Sequence, residues 1–560
     1  MSRILPSASL ALFSAITSAF GATYNWTNLN GGSLATAANW NGAVLPPSAA
    51  DHLLDFSTLN ITAARTLTLD GDRTAGSLKF GDLTTISHAW TLNAGTGGTL
   101  TLSTTTGTPS INVNNASDVA TINVPIASNQ SFSKTGNGLL VLSGSASLQR
   151  RTLSLSTGLV SIANPAAMPA GQPAANPVVP AVNSTSTSTT LALQVGPNAF
   201  AESDIVALFD GTYPNVTLNA AGRVGVDTTQ GEVTLASVLA GTRGLTKVGA
   251  GKLIITGANT YTGGTHVPAF NGLASVVDVS GNQSAANGGW SVGAAVSTTT
   301  GTTTVNFLAG STIAVAADKT IVIGNTGSGG NLSQTLNVSG AVTSEGKLTV
   351  GRPGVLNVDS GGTWLQSGET IIRAQGGFDA KFNVRSGGSY TSTNALTVLV
   401  TSSPNGGAKG LLTVDGTGVF TTSSGFEQLF GTTPTTASGY GRITLTNGGT
   451  IRLGAAVTDL TLDVQFELGA GGGVIDTNGF STALSGISGT GVPATATAGL
   501  FGTGGLTKRG TGTLTLTGVN SYTGATTVEA GTLSVSSASQ FGDSVPLVVA
   551  AGATIDLNHS

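Results

Sequence analysis

The chain has 560 residues, of which 81 are glycine, 9% are charged and none is cysteine. With 22 Lys and Arg against 26 Asp and Glu, the formal net charge is −4, which excludes the general cationic footprint of a nucleic-acid binder; the missing cysteines exclude a disulfide framework or a thiolate metal site. High glycine and low charge over such a length suit a core that grows along an axis better than a row of compact domains.

Residues 1–21 open with Met1, Ser2 and Arg3 and run through an apolar stretch around Leu10, Leu12, Phe13 and Ile16. Small residues at Ala19 and Gly21 complete the pattern of a secretory signal peptide, with cleavage expected after Gly21, or alternatively after Ala19. The stretch is too short for a spanning helix, and nothing later in the sequence approaches one. A mature chain without a membrane-spanning segment is expected.

Residues 22–130 begin with Trp26, Trp40 and Phe56 and continue to Asp70-Gly71-Asp72 after an alternating run. This reads as a β-rich cap or first set of coils, with the Asp-Gly pair turning a hairpin or a coil corner. Residues 131–270 hold the first two copies of an eleven-residue phrase, K-x-G-x-G-x-[LI]-x-[LIV]-[ST]-G, at Lys134 and Lys247. Between them, residues 164–182 carry five prolines in an Ala-rich setting, which no regular strand tolerates, so an excursion from the stack is expected.

Residues 271–475 show a looser series, Leu356-Asn357-Val358, Phe382-Asn383-Val384, Leu412-Thr413-Val414 and Ile443-Thr444-Leu445, spaced by 26, 30 and 31 residues, with Leu336-Asn337-Val338 ahead of them. Each is followed by a glycine turn, as one coil of a parallel β-helix requires. Residues 476–560 contain the third copy of the phrase, at Lys508. No amphipathic helix is expected beyond the signal region.

In each copy the glycines, Gly136 and Gly138, Gly249 and Gly251, Gly510 and Gly512, permit positive φ and a tight reversal. A half-buried strand follows, with Leu253 and Ile255 inward and Lys252 outward in the second copy, and Leu514 and Leu516 inward between outward threonines in the third. The second and third copies continue as N-x-Y-T-G, through Asn259, Tyr261 and Gly263 and through Asn520, Tyr522 and Gly524. These Asn and Tyr are expected to shape a turn, with the tyrosine hydroxyls free. Low charge has a stacking reason: residues of successive coils lie about 4.8 Å apart, so ladders of like charge repel where Thr, Ser and Asn ladders bond.

The extended phrase, with E-A-G-T-L at 529–533, resembles the autotransporter-associated β-strand repeat, or passenger-associated transport repeat, of Gram-negative bacteria. The Trp26, Trp40-Asn41-Gly42 and Asp55-Phe56-Ser57 arrangement is similar to the opening of large secreted proteins of that group. The resemblance implies a right-handed parallel β-helical passenger, exported and displayed or released at the outer surface, whose repeat assists export and folding. Autotransporters end in a membrane barrel, whereas this sequence stops at Asn558-His559-Ser560 after a Gly-Ala-Thr-Ile-Asp-Leu coil. Either a longer chain or a separate export machine is then expected to supply the barrel.

Little carries chemistry. His52, His88, His266 and His559 are far apart and read as surface or turn residues. The run 249–253 lacks the residues and the helix of a phosphate loop, and Asp70 and Asp72 lack the ligand count of a calcium site. Asp359 and Arg385 fall at equivalent places of adjacent coils and are expected side by side as an exposed ion pair. The expected protein is thus an all-β solenoid without catalytic residues, metal or cofactor. Its expected role is that of a non-enzymatic display stalk or adhesin-like passenger, with export machinery as partner and surface glycans or another cell as possible targets. The alternatives are a carbohydrate-active β-helix enzyme, marked by three or more charged side chains converging in a lateral cleft, and a glycan-binding protein without turnover.

Overall fold

The structure, a computed structural model, describes residues 21–83, 87–147, 152–168, 182–269, 274–293, 301–324, 333–374, 377–393, 397–401, 408–430, 441–462, 464–485, 499–542 and 546–557. Residues 1–20, which hold nearly all of the expected signal peptide, most of the Pro/Ala-rich stretch and His559 lie outside these residues.

Short strands joined by glycine corners wind into a parallel β-helix. One coil runs Ser333–Val338, Ala341–Ser344, Lys347–Val350; the next runs Gly354–Val358, Thr363–Gln366, Thr370–Arg373. Each strand pairs in parallel with its counterpart one coil on. Three faces result. A long face continues from Gly32–Ser33 to Thr461–Leu462, while a 12-stranded sheet from Val233–Leu235 onward and an 11-stranded sheet from Asn282–Gln283 onward form the other two.

The interior is a set of stacked apolar columns. Leu336, Leu356, Phe382, Leu412 and Ile443 occupy one register position, and all are fully buried. The 26-, 30- and 31-residue spacing therefore measures one coil each, and the Leu336 triplet belongs to the same series. Burial of such side chains contributes roughly 1.5–3 kcal/mol apiece. The first coils hold an aromatic stack instead: Trp26 lies edge-on to Trp40 with centroids 5.0 Å apart, and Phe56 stacks on Phe80 at 5.1 Å.

One local alternative is settled and one expectation is corrected. Asp70-Gly71-Asp72 is a coil corner and not a hairpin, since Arg65–Thr68 and Arg73–Ala75 belong to different faces. Asp70 takes a left-handed φ of 52° and accepts from Thr96 N–H at 2.8 Å, while Asp72 accepts from Thr99 N–H at 2.8 Å. These carboxylates bond the corner of the next coil. There is also an amphipathic helix, α1, at Glu202–Asp210. It buries Ile205, Leu208 and Phe209 and ends at Gly211 with φ 74°. Asp204 caps its start by accepting from Ala201 N–H at 2.8 Å, as the helix N-terminus favours.

The axis is bent. On the long face, Ala116 precedes Val119–Ile122 and Ala269 follows Thr265–Val267, six strand steps later. A straight stack would separate them by roughly 29 Å at about 4.8 Å per step, yet the two alanines pack together. Outward Leu139, Ala192 and Val248 likewise form one cluster, and Ser161 donates to the Asp227 carboxylate at 2.5 Å across two steps. The fold line passes through small residues. A Cβ on Gly225 would lie 2.4 Å from that of Ala192, so only glycine permits the approach.

Candidate functional site

The repeat phrase builds a corner in which a lysine ammonium is buried. In the first copy Lys134 lies in the strand Phe132–Thr135, and its Nζ donates to Gly136 O at 2.7 Å and to Thr157 O at 3.2 Å. In the third, Lys508 Nζ donates to Gly510 O at 2.7 Å and to Ala530 O at 3.0 Å. Lys247 donates to Gly249 O. In the outer two copies the ammonium thus ties its own corner to the corner one coil on. Burial lowers Lys134 to about 7 and Lys247 and Lys508 to about 8, with Asp227 and Asp476 drawing the latter two back upward.

The two glycines of each corner do different work. Gly136, Gly249 and Gly510 have φ of 74°, 81° and 82°, as a left-handed turn needs. Gly138, Gly251 and Gly512 are required for space, since a Cβ at Gly251 would sit 1.9 Å from Gly231 O and one at Gly512 1.5 Å from Phe480 O. The expectation that both glycines supply positive φ therefore holds for the first of each pair only. Gly263 and Gly524 are similarly crowded, a Cβ falling 2.3 Å from Gly244 N and from Gly505 N. Leu253, Ile255, Leu514 and Leu516 point inward, and Lys252 points out, pairing with Glu232 at 3.0 Å and Asp278 at 3.2 Å.

The downstream Asn and Tyr are buried. Asn259 accepts from Leu239 N–H at 2.7 Å and donates to Gln283 Oε1 at 3.0 Å; Asn520 accepts from Leu500 N–H at 2.7 Å and donates to Gln540 O at 2.6 Å. Tyr261 and Tyr522 do not carry free hydroxyls: each lies 2.5 Å from a threonine hydroxyl, Thr265 and Thr526. Burial pushes Tyr261 up to about 12. A buried phenol finds a partner because an unpaired one is costly.

The outer surface of the 12-stranded face carries an amide ladder. Asn337 donates to Asn306 at 2.8 Å, Asn357 to Asn337 at 2.7 Å and Asn383 to Asn357 at 2.8 Å. Beside it runs a groove of about 530 Å³ lined by Asp359, Arg385 and Asp415 with Asn383, Thr413 and Thr446. Arg385 donates to Asp359 at 2.9 Å, the juxtaposition expected from the sequence. Asp415 accepts from Asn447 at 2.8 Å.

His52 and His88 sit in partly exposed loops, in line with the surface or turn positions expected, and His266 departs from that expectation by lying within a strand. His88 meets Asp82 at 2.9 Å beside the hydrogen-bonded Ser87–Ser117 pair, with Asp118 nearby raised by burial. His52 Nδ1 accepts from Ala22 N–H at 3.2 Å. His266 lies within the strand Thr265–Val267, lowered to about 3 by burial and by Arg223 in the crook of the bend. The His52 and His266 contacts join residues of different coils, whose approach depends on the path of the chain, whereas His88 and Asp82 meet within one loop. Among the described residues no group of three or more His, Asp or Glu is placed to hold a metal ion, and no helix is long and apolar enough to cross a membrane.

Residues 245–269 and 506–535 match the family described as passenger-associated transport repeat, the segments holding the second and third corners. The adhesin BmaC autotransporter of Brucella suis biovar 1 (strain 1330) is 27% identical over 368 residues, covering 62% of this chain and 9% of that protein. This chain thus corresponds to a small part of its relative. No solved structure matches. Two coil corners of this parallel β-helix are thus similar to passenger-associated transport repeats, and the chain as a whole is similar to part of an autotransporter adhesin.

Proposed function

We propose that this chain is a non-enzymatic passenger segment exposed at the outer cell surface, serving as a display stalk with an adhesin-like role. The observation that carries this reading is the fate of the repeat's polar residues. The lysines, the Asn pair and the Tyr pair are all spent on bonds inside the stack, so the repeat works on coil order and leaves nothing for a substrate. The named relative is an adhesin and an autotransporter, which supports both the location and the contact role. Export machinery is the partner this implies, and the repeat then assists folding after passage. The test is immunolabelling of intact producing cells, with and without added protease, together with attachment of cells carrying or lacking the gene. Chain found only inside the cell, or attachment unchanged without it, would refute the reading.

One observation favours the carbohydrate-active alternative: Asp359, Arg385 and Asp415 share a groove. Yet Arg385 stands between the carboxylates and neutralises one of them, whereas acid–base cleavage of a glycosidic bond needs one carboxyl protonated and one free. Loss of polysaccharide cleavage in Asp359→Asn and Asp415→Asn would establish the enzyme; no cleavage by the parent chain disposes of it.

A further inference from the structure

The bend creates a pocket that a straight β-helix would lack. Its volume is about 330 Å³, within the range of small-ligand sites. Val119, Leu139 and Val141 on one arm supply an apolar floor, and Asp227 with Thr229 and Gly249 comes from the other arm. Gln194 stands at the fold line between them.

Gln194 is the informative residue. It is 8% exposed, lines the pocket, and makes no side-chain hydrogen bond among the described residues. Its amide is not sealed in the core but opens onto the cavity, where a ligand can reach a donor and an acceptor that no protein group holds. The third repeat copy offers an internal comparison. Gln194 pairs in register with Asp227 as Arg452 does with Asp476, and there Arg452 donates to Asp476 at 2.8 Å, closing the position. In the crook the cation is replaced by a neutral amide and the space stays open.

The lining specifies the ligand. No cationic side chain lines the pocket among the described residues, and the buried Asp227 repels an anion. Asp227 accepts from Ser161 Oγ at 2.5 Å and from Thr229 N–H at 2.9 Å and Oγ at 2.6 Å, and the buried Lys247 ammonium lies close enough to feel its charge, so the carboxylate does not call for a cationic ligand. Thr121, Asn123 and Ser143 add polar groups along one edge of the floor. Planar amide and carboxylate groups with hydroxyls above an aliphatic floor match a ring with a hydroxyl rim and a C–H face. We infer that the crook binds one neutral sugar residue, its C–H face on Val119, Leu139 and Val141 and its hydroxyls on Gln194 and Asp227. This rests on the pocket alone and stands whether or not the chain acts as a stalk.

The test is saturation-transfer NMR of the full chain with glucose, galactose and mannose, beside glucosamine and sialic acid. Transfer to at least one neutral hexose is expected, weakened about tenfold in Gln194→Leu, the scale of one lost hydrogen bond, and abolished in Val141→Trp, which fills the pocket. Circular dichroism melts check that both variants fold; should Val141→Trp not fold, Gln194→Leu decides. Transfer to no neutral hexose, preference for the charged sugars, or binding indifferent to the substitutions would overturn the assignment.

Discussion

Lys508 shows what a single side chain does in the corner. Its ammonium is held by carbonyls of two coils but shielded from water, and burial lowers it to about 8 against 10.5 unfolded. Between those values the unfolded chain binds more protons, so stability rises with pH across that window and carries the full burial penalty below it. Urea unfolding followed from pH 8 to 10 should show this rise in the parent chain and a flatter profile in Lys508→Met. His266 acts with the same sign in a lower window. Held near 3 by burial against an ordinary value near 6.5, it contributes stability that is fully present above about pH 6.5 and lost as pH falls toward 3; His266→Gln should soften acid unfolding measured by near-ultraviolet circular dichroism. The sequence displayed the lysine as a repeated letter without its purpose, because burial of its head group depends on the next coil, some twenty residues away.

At the level of strands and corners, the outward positions form lanes whose chemistry is shared between coils. The asparagine lane from Asn306 to Asn383 is a chain of amide-to-amide bonds. Placing Asp at position 357 removes the donor to Asn337 and sets a negative charge beside its oxygen. Asn357→Asp should cost about 1–2 kcal/mol by denaturant titration at pH 7, and recover below about pH 4 as the carboxyl protonates. Leu-Asn-Val triplets and their glycine turns were legible because an uninterrupted period fixes both face and register. The corner at Asp70 was less so, since Asp-Gly turns a hairpin and a coil corner alike. Helix α1 was missed because it is a single excursion of nine residues within a chain whose dominant period is two. Its Glu202, Asp204, Ile205, Leu208 and Gly211 do carry the start, stripe and stop of a short helix.

For the molecule as a whole, stability is distributed along the axis. Replacing both Leu514 and Leu516 by Asp should open the C-terminal coils while the coils around Leu54, Phe80 and Ile111 stay protected; hydrogen exchange mapped by mass spectrometry reads the difference, and uniform loss would contradict it. The bend belongs to this scale and was invisible in the sequence, where Ala192 and Gly225 look like any small residues. Gly225→Val cannot be seated against Ala192, so the arms should part and the maximum dimension from small-angle X-ray scattering should increase.

That fold line makes the protein a jackknife as well as a rod. A pull on its two ends loads the hinge first, where Ala116 rests on Ala269 and Ser161 reaches Asp227, before the main-chain hydrogen bonds that run along the axis are drawn apart. Under traction, as when a tethered cell drags against a surface in flow, the blade would swing open at low force and spill whatever sat in its angle, leaving every rung intact and ready to shut again when the tension falls.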